Sequence, residues 1–165
     1  MLDEESVKEG KVCEPKTWDG LDWEWLRSVP TWYFVYWSRL DLYRSATFMT
    51  QRPINTLTED DVMKANCVWD AKNSKLSAFG VKDLDFSLVL DDEKRVVFGE
   101  DRQTLVFSDN KSYIFGATDW ADGQQSWGLW MTEKELTNDL KEKALSHAKQ
   151  LGFDTKLAVE TKFTD

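Results

Sequence analysis

Few side chains in this sequence could carry out chemistry. A single histidine, His147, leaves almost no room for histidine-based metal or triad chemistry. It falls near the end of a helical pattern, where an imidazole favours the negative helix terminus, so a structural or solvent-facing role is expected. The carboxylate pairs Asp60-Asp61 and Asp91-Asp92 are adjacent residues in turn-like stretches. That is a solvated arrangement, unlike the facing pair that general acid–base catalysis requires. The two cysteines, Cys13 and Cys67, permit one disulfide or two free thiols. Cys67 would become nucleophilic only with a depressed pKa, and the nearest basic residue in sequence is Lys64. The expectation is a protein that is not an enzyme.

The aromatic residues are more informative. The 165 residues include 9 Trp, 9 Phe and 4 Tyr. Such rings dominate the energetics of cores and ligand sites, so they either fill the interior or wall a cavity for a flat apolar molecule. Charge narrows the partners. Against 21 basic side chains stand 30 acidic ones, a net charge of −9. Nucleic acids and anionic membrane surfaces are bound through Lys/Arg clusters, so both are disfavoured. The longest apolar run, Trp32 to Trp37, falls far short of the roughly 20 residues that span a bilayer. With 41% hydrophobic and 31% charged residues, the chain reads as one globular domain.

The elements that must position these rings are mostly strands. Residues 1–30 read as an N-terminal arm, loose up to position 12. Beyond it, Trp18, Trp23 and Trp25 carry too much apolar area to stay in solvent. Residues 31–131 read as a succession of short strands. Trp32 to Arg39 is aromatic and β-branched, and Tyr43 to Thr50 is a second candidate. A loop over 51–61 precedes strands at Lys64 to Asp70 and Lys75 to Val81. Leu84, Phe86, Leu88 and Leu90 alternate with polar neighbours, which gives one dry face. Arg95 to Gly99, Thr104 to Ser108, Ser112 to Trp120 and Gln124 to Met131 follow. Asp122-Gly123 signals a two-residue hairpin with positive φ at both positions. Turns without intervening helices mean antiparallel neighbours, in a sandwich or a closed barrel.

Residues 132–151 then change period. Thr132 to Glu135 has the form of a capping box. Leu136, Leu140, Ala144, Ala148 and Leu151 form the stripe of a surface helix. Gly152 stands where a left-handed cap belongs. The tail, residues 152–165, contains Leu157 to Val159, an apolar segment suited to an edge strand.

This order resembles the lipocalins. Lys11-Val12-Cys13-Glu14-Pro15, followed by Pro30-Thr31-Trp32-Tyr33, is similar to the family's Cys-Pro arm leading to Gly-x-Trp-Tyr, with Pro30 in place of the glycine. Ser108-Asp109-Asn110-Lys111-Ser112-Tyr113 resembles its Thr-Asp-x-x-x-Tyr turn between the sixth and seventh strands. Lys149 to Thr155 and Leu157 to Thr161 look like the tail of the apolipoprotein D, crustacyanin and bilin-binding branch. Thr132 stands where lipocalins often place an arginine across the first-strand tryptophan. The resemblance implies an all-β fold with one C-terminal helix: an eight-stranded antiparallel up-and-down β-barrel, or calyx. Cys13 and Cys67 match one member of each of the branch's two disulfides, and could pair with each other or both be free.

An eight-stranded barrel holds side chains or one small ligand. By strand parity, Trp32, Phe34 and Tyr36 point inward together. The same reasoning puts Trp69 with Cys67, Phe115 with Ala117, and Trp130 with Gly128. Phe86 and Leu88 belong to the dry face, and Phe48 and Phe98 complete the expected ligand wall. Ser38, Ala46, Ala78, Gly116, Ala117 and Gly128 are expected to leave room between the rings. The resemblance implies a carrier of a small hydrophobic molecule, most readily a conjugated pigment. A carotenoid such as astaxanthin comes first and a bilin second. Lipid, fatty acid or steroid transport is the alternative, as is a defensive lipocalin that binds a protein. A rod-like carotenoid would protrude and favour homo- or hetero-oligomers, with Trp37, Trp120 and Trp127 at the interface. No catalytic cofactor or metal is expected. An extracellular location follows from the family and the even cysteine count.

Overall fold

The computed structural model describes residues 2–164. The arm begins with a 3-10 turn at Glu4–Val7 and contains helix α1, Trp23–Ser28. Strand β1, Thr31–Ser38, runs directly into helix α2, Arg39–Thr50, and a short helix α3 covers Glu59–Met63. Then come β2 (Val68–Asp70), β3 (Lys75–Ala78), β4 (Val81–Asp85) and β5 (Val96–Phe98). β6 (Asp101–Ser108), β7 (Tyr113–Asp119) and β8 (Gln125–Met131) are longer. Helix α4, Asn138–Leu151, and β9, Ala158–Glu160, end the chain.

All pairings are antiparallel, in the order β4-β3-β2-β1-β8-β7-β6-β5, with β9 added to the outer half of β1. The sheet curls into a half-barrel. Among the described residues no ladder joins β4 to β5; the Phe86 and Phe98 rings stack across that seam, 4.9 Å apart. Two faces result. The convex face buries Val35, Tyr36, Phe115, Trp127 and Leu129 beneath Ala144 and Ala148 of α4. The concave face holds Phe34, Trp37, Leu76 and Trp130 at one end and Trp32, Leu105 and Ile114 at the other.

The arm closes the second end. Leu21, Leu26 and the tryptophans Trp18, Trp23 and Trp25 pack there, and the Trp18 amide donates to the Leu105 carbonyl at 3.0 Å. Trp25 meets Trp32 edge-on at 5.5 Å and covers its ring. Asn110 in the β6–β7 turn accepts from the Asp22 amide and donates to the Gly20 carbonyl, pinning the arm to the sheet.

Several expectations are corrected. Tyr43 to Thr50 is not a strand but the body of α2, because Leu40, Tyr43, Ala46 and Met49 recur at helical spacing on its buried side. Helix α4 is capped by Thr137, whose hydroxyl accepts from the Leu140 amide, and not by Thr132. The β7–β8 hairpin has three loop residues: Trp120 and Gln124 close the ladder, and among the loop residues positive φ falls on Gly123 alone. This is a type I turn followed by a glycine bulge. Cys13 and Cys67 are free thiols in separate clusters, Cys67 on the concave side and Cys13 under the helix face beside Gln125, so they form no disulfide. Trp37 and Trp127 are fully buried and cannot form an interface. The helical stripe from Leu140 onward, the Gly152 cap at φ 103° and the edge strand β9 are where the sequence placed them, while Leu136 lies ahead of the helix.

Candidate functional site

The interior divides into two chambers. The larger, about 420 Å³, lies at the end of the half-barrel under α2. The smaller, about 50 Å³, lies toward the arm and is walled by Trp32, Trp69, Phe86, Leu88 and their neighbours. Leu76, Phe98, Gln103 and Trp130 border both and form the partition. Two glycines let this partition close. A Cβ on Gly128 would lie 2.2 Å from the Phe34 ring, and one on Gly116 would lie 2.8 Å from the Gln103 amide. The space the sequence reserves at these glycines is therefore filled by protein side chains. Phe34 stacks on Trp37 at 3.9 Å and leans on Trp130 at 4.4 Å.

Of the ten rings and side chains expected to face a ligand, Phe34, Phe48, Phe98 and Trp130 line the larger chamber. Trp32, Trp69, Phe86 and Leu88 line the smaller. Tyr36 and Phe115 do not face inward; both lie on the convex side under α4. The reason for Tyr36 is a β-bulge between Phe34 and Tyr36, which places Val35 and Tyr36 on the same side and returns Trp37 to the interior. Phe115 follows Tyr113 outward, while Ile114, Gly116 and Thr118 alternate inward. On the convex side His147 stacks on Phe107 at 4.1 Å and its Nε2 meets the Tyr113 hydroxyl at 3.0 Å. Burial lowers the pKa of this imidazole and Lys143 adds to the effect, so it stands away from the cavity as a neutral packing group.

The larger chamber has a polar rim that the sequence reading missed. Helix α2 supplies Asp41, Arg44, Ser45, Thr47 and the exposed Phe48; β6 to β8 supply Asp101, Thr118, Trp120 and Asp122. Arg44 donates to both carboxylate oxygens of Asp122, at 2.8 and 2.7 Å, and to Glu4 at 2.8 Å. Its guanidinium lies over the Trp120 ring at 5.3 Å. These bonds outweigh the cost of burial and hold Arg44 charged, and they pull Asp122 down to about 2. Asp41 differs. It is 3% exposed, accepts from Ser126 at 2.7 Å and is 3.3 Å from the Ser45 hydroxyl. Burial pushes its carboxyl up to about 7, against the pull of those hydroxyls. The Ser126 oxygen in turn accepts from the Trp120 indole at 2.8 Å, which orients the group. Cys67 lies in the same wall, and burial, aided by the nearby Asp41, raises its pKa, so it is an inert thiol and no nucleophile. A helical reading of residues 39–50 would have found this rim, because Asp41 and Ser45 are then one turn apart.

No group of three or more His, Cys, Asp or Glu among the described residues is placed to hold a metal ion. The arrangement suits retention of a molecule: aromatic walls, an open polar rim and a closed far end. No family model matches the sequence, and no curated protein matches it. Among solved structures, the chain is similar to the siderocalin Ex-FABP, described as working through dual ligand specificities. The identity is 11% and the TM-score 0.50, over 84% of this chain and 96% of that one. It is also similar to the siderocalin Q83, described as having a dual ligand binding mode. There the identity is 13% and the TM-score 0.52, over 86% of this chain and 94% of that one. At such identity the likeness is one of fold: a curled antiparallel sheet of eight strands with a C-terminal helix.

Proposed function

We propose that this protein is a carrier for one small, compact, amphipathic ligand held under α2. The observation that carries this is the chamber of about 420 Å³, aromatic at its floor and polar at its rim. Such a volume falls in the range of small-molecule sites. The ligand binding described for the two siderocalins supports the same reading. The opening and tail motifs, similar to the apolipoprotein D and bilin-binding branch, keep a conjugated pigment as the finer alternative. The geometry sets conditions on it. A rod-like carotenoid would have to displace Phe98, Gln103 and Trp130, and a bilin's carboxylates would meet Asp101 and Asp122 at the rim. A fatty acid's head group meets the same acidic rim. We place the protein outside the cell by the same resemblance.

Organic extraction of protein from its native source, with absorbance and mass analysis of the extract, identifies the ligand directly. A panel of hydrophobic dyes should quench tryptophan emission, since Trp120 and Trp130 line the chamber. Thr47→Trp, on the α2 wall, should weaken dye binding at least about tenfold by filling the space. Full affinity in that variant, or no quenching by any dye in the wild type, would overturn the proposal.

A further inference from the structure

Asp41 is a carboxyl group in a ligand-sized cavity with no charged partner. Its bonding partners are the hydroxyls of Ser126 and Ser45, and no Lys or Arg among the described residues forms an ion pair with it. Taking a carboxylate out of water without a counter-ion is costly. The cation in the chamber lining, Arg44, is committed to Glu4 and Asp122 and lies over Trp120. The other charged groups there, Glu4, Asp101 and Asp122, are all acidic. An anionic ligand would be repelled, and a neutral one would give the ionised form of Asp41 no counter-charge. The walls near it are ring faces, which attract ammonium groups.

We infer that the chamber takes a ligand with a protonated amine, whose ammonium pairs with Asp41 while its apolar body lies among Phe34, Phe79, Phe98 and Trp130. This rests on the reading of the chamber as a ligand site and names its chemical class. The bond from Trp120 to Ser126 and on to Asp41 fixes the carboxylate before the ligand arrives, so little reorganisation is needed on binding. Binding is then coupled to pH. The titratable groups on the same wall are Glu4, Arg44, Cys67, Asp101 and Asp122. Among elements packed on α2, α3 contributes Glu59, bonded to Arg39, and β9 contributes Glu160, beside Tyr36. His147 is on the opposite face of the sheet. Asp41 is brought to about 7. As pH falls below that value Asp41 takes up a proton, and amine affinity falls by up to about tenfold per pH unit. Affinity for a neutral ligand stays level.

The test uses three probes that share one aromatic body: phenethylamine, phenethyl alcohol and hydrocinnamate. Each is titrated by calorimetry against wild type and Asp41→Asn. Above pH about 8 the amine should bind at least about tenfold more tightly than the alcohol, with hydrocinnamate weakest. Asp41→Asn should abolish the preference, bringing the affinities of amine and alcohol together. Should that variant not fold, the wild-type pH profile decides: a fall in amine affinity below about pH 7 supports the assignment, and a flat one overturns it. Equal binding of amine and alcohol, or a preference retained in Asp41→Asn, would also overturn it while the carrier reading stands. If no probe and no dye binds, the carrier reading itself fails.

Discussion

At the residue scale, the interior is set by a few close approaches. Gly128 leaves the place where the Phe34 ring lies, and that ring supports both Trp37 and Trp130. Gly128→Ala would put a methyl group inside the ring's envelope. The strain should cost about 1–3 kcal/mol, as overpacking does. Denaturant unfolding would measure it, and the displaced ring should also change the tryptophan emission of the chamber. The small residues were legible in the sequence as features of the interior, but the identity of what fills them was not. A glycine opposite an aromatic residue reads the same whether the ring of a neighbour or of a ligand takes the space. Asp41 was illegible for another reason. Its importance comes from what surrounds it, and that depends on the helix it sits on.

At the element scale, the two helices show what pattern can and cannot decide. The stripe of α4 was plain because Leu140, Ala144, Ala148 and Leu151 repeat against polar neighbours. Its start was misplaced because Thr132 and Thr137 both offer a hydroxyl ahead of an apolar run. Thr137→Ala should cost about 1 kcal/mol in thermal or chemical unfolding, while Thr132→Ala should stay within about 0.5 kcal/mol of wild type. In α2, the stretch Tyr43 to Thr50 reads as a strand in isolation, since Tyr43, Thr47, Phe48 and Thr50 have β-favouring side chains. Tertiary burial of Leu40, Leu42, Ala46 and Met49 overrides that preference. Inward parity failed for Tyr36 at the Val35 bulge, which leaves no mark in the local composition. The β6–β7 turn, the strands on either side of it and the edge strand were legible because turn residues and alternation report them directly, whereas the alternating stretch Leu84 to Leu90 is strand only as far as Asp85.

At the scale of the whole molecule, the curled sheet is continuous everywhere except between β4 and β5. The open edge of β4 lacks the ladder that protects β1, β7 and β8, whereas β5 is held on its second side by the Leu90–Val96 bridge and by the Val97 amide bonded to the Val89 carbonyl at 2.9 Å. Native-state hydrogen exchange should therefore find β4 amides opening at low free energy, with the β7–β8 pairing protected to near the global limit. Uniform protection around the sheet would contradict this. The stacked pair Phe86 and Phe98 is what bridges the gap, and Phe98 also borders both chambers. The circumference is thus clasped there by two aromatic side chains and one short backbone pairing between residues 89–91 and 95–97. A rotamer change at Phe98 would alter the bore at this clasp without breaking a strand ladder, while the helix-backed spine keeps its shape.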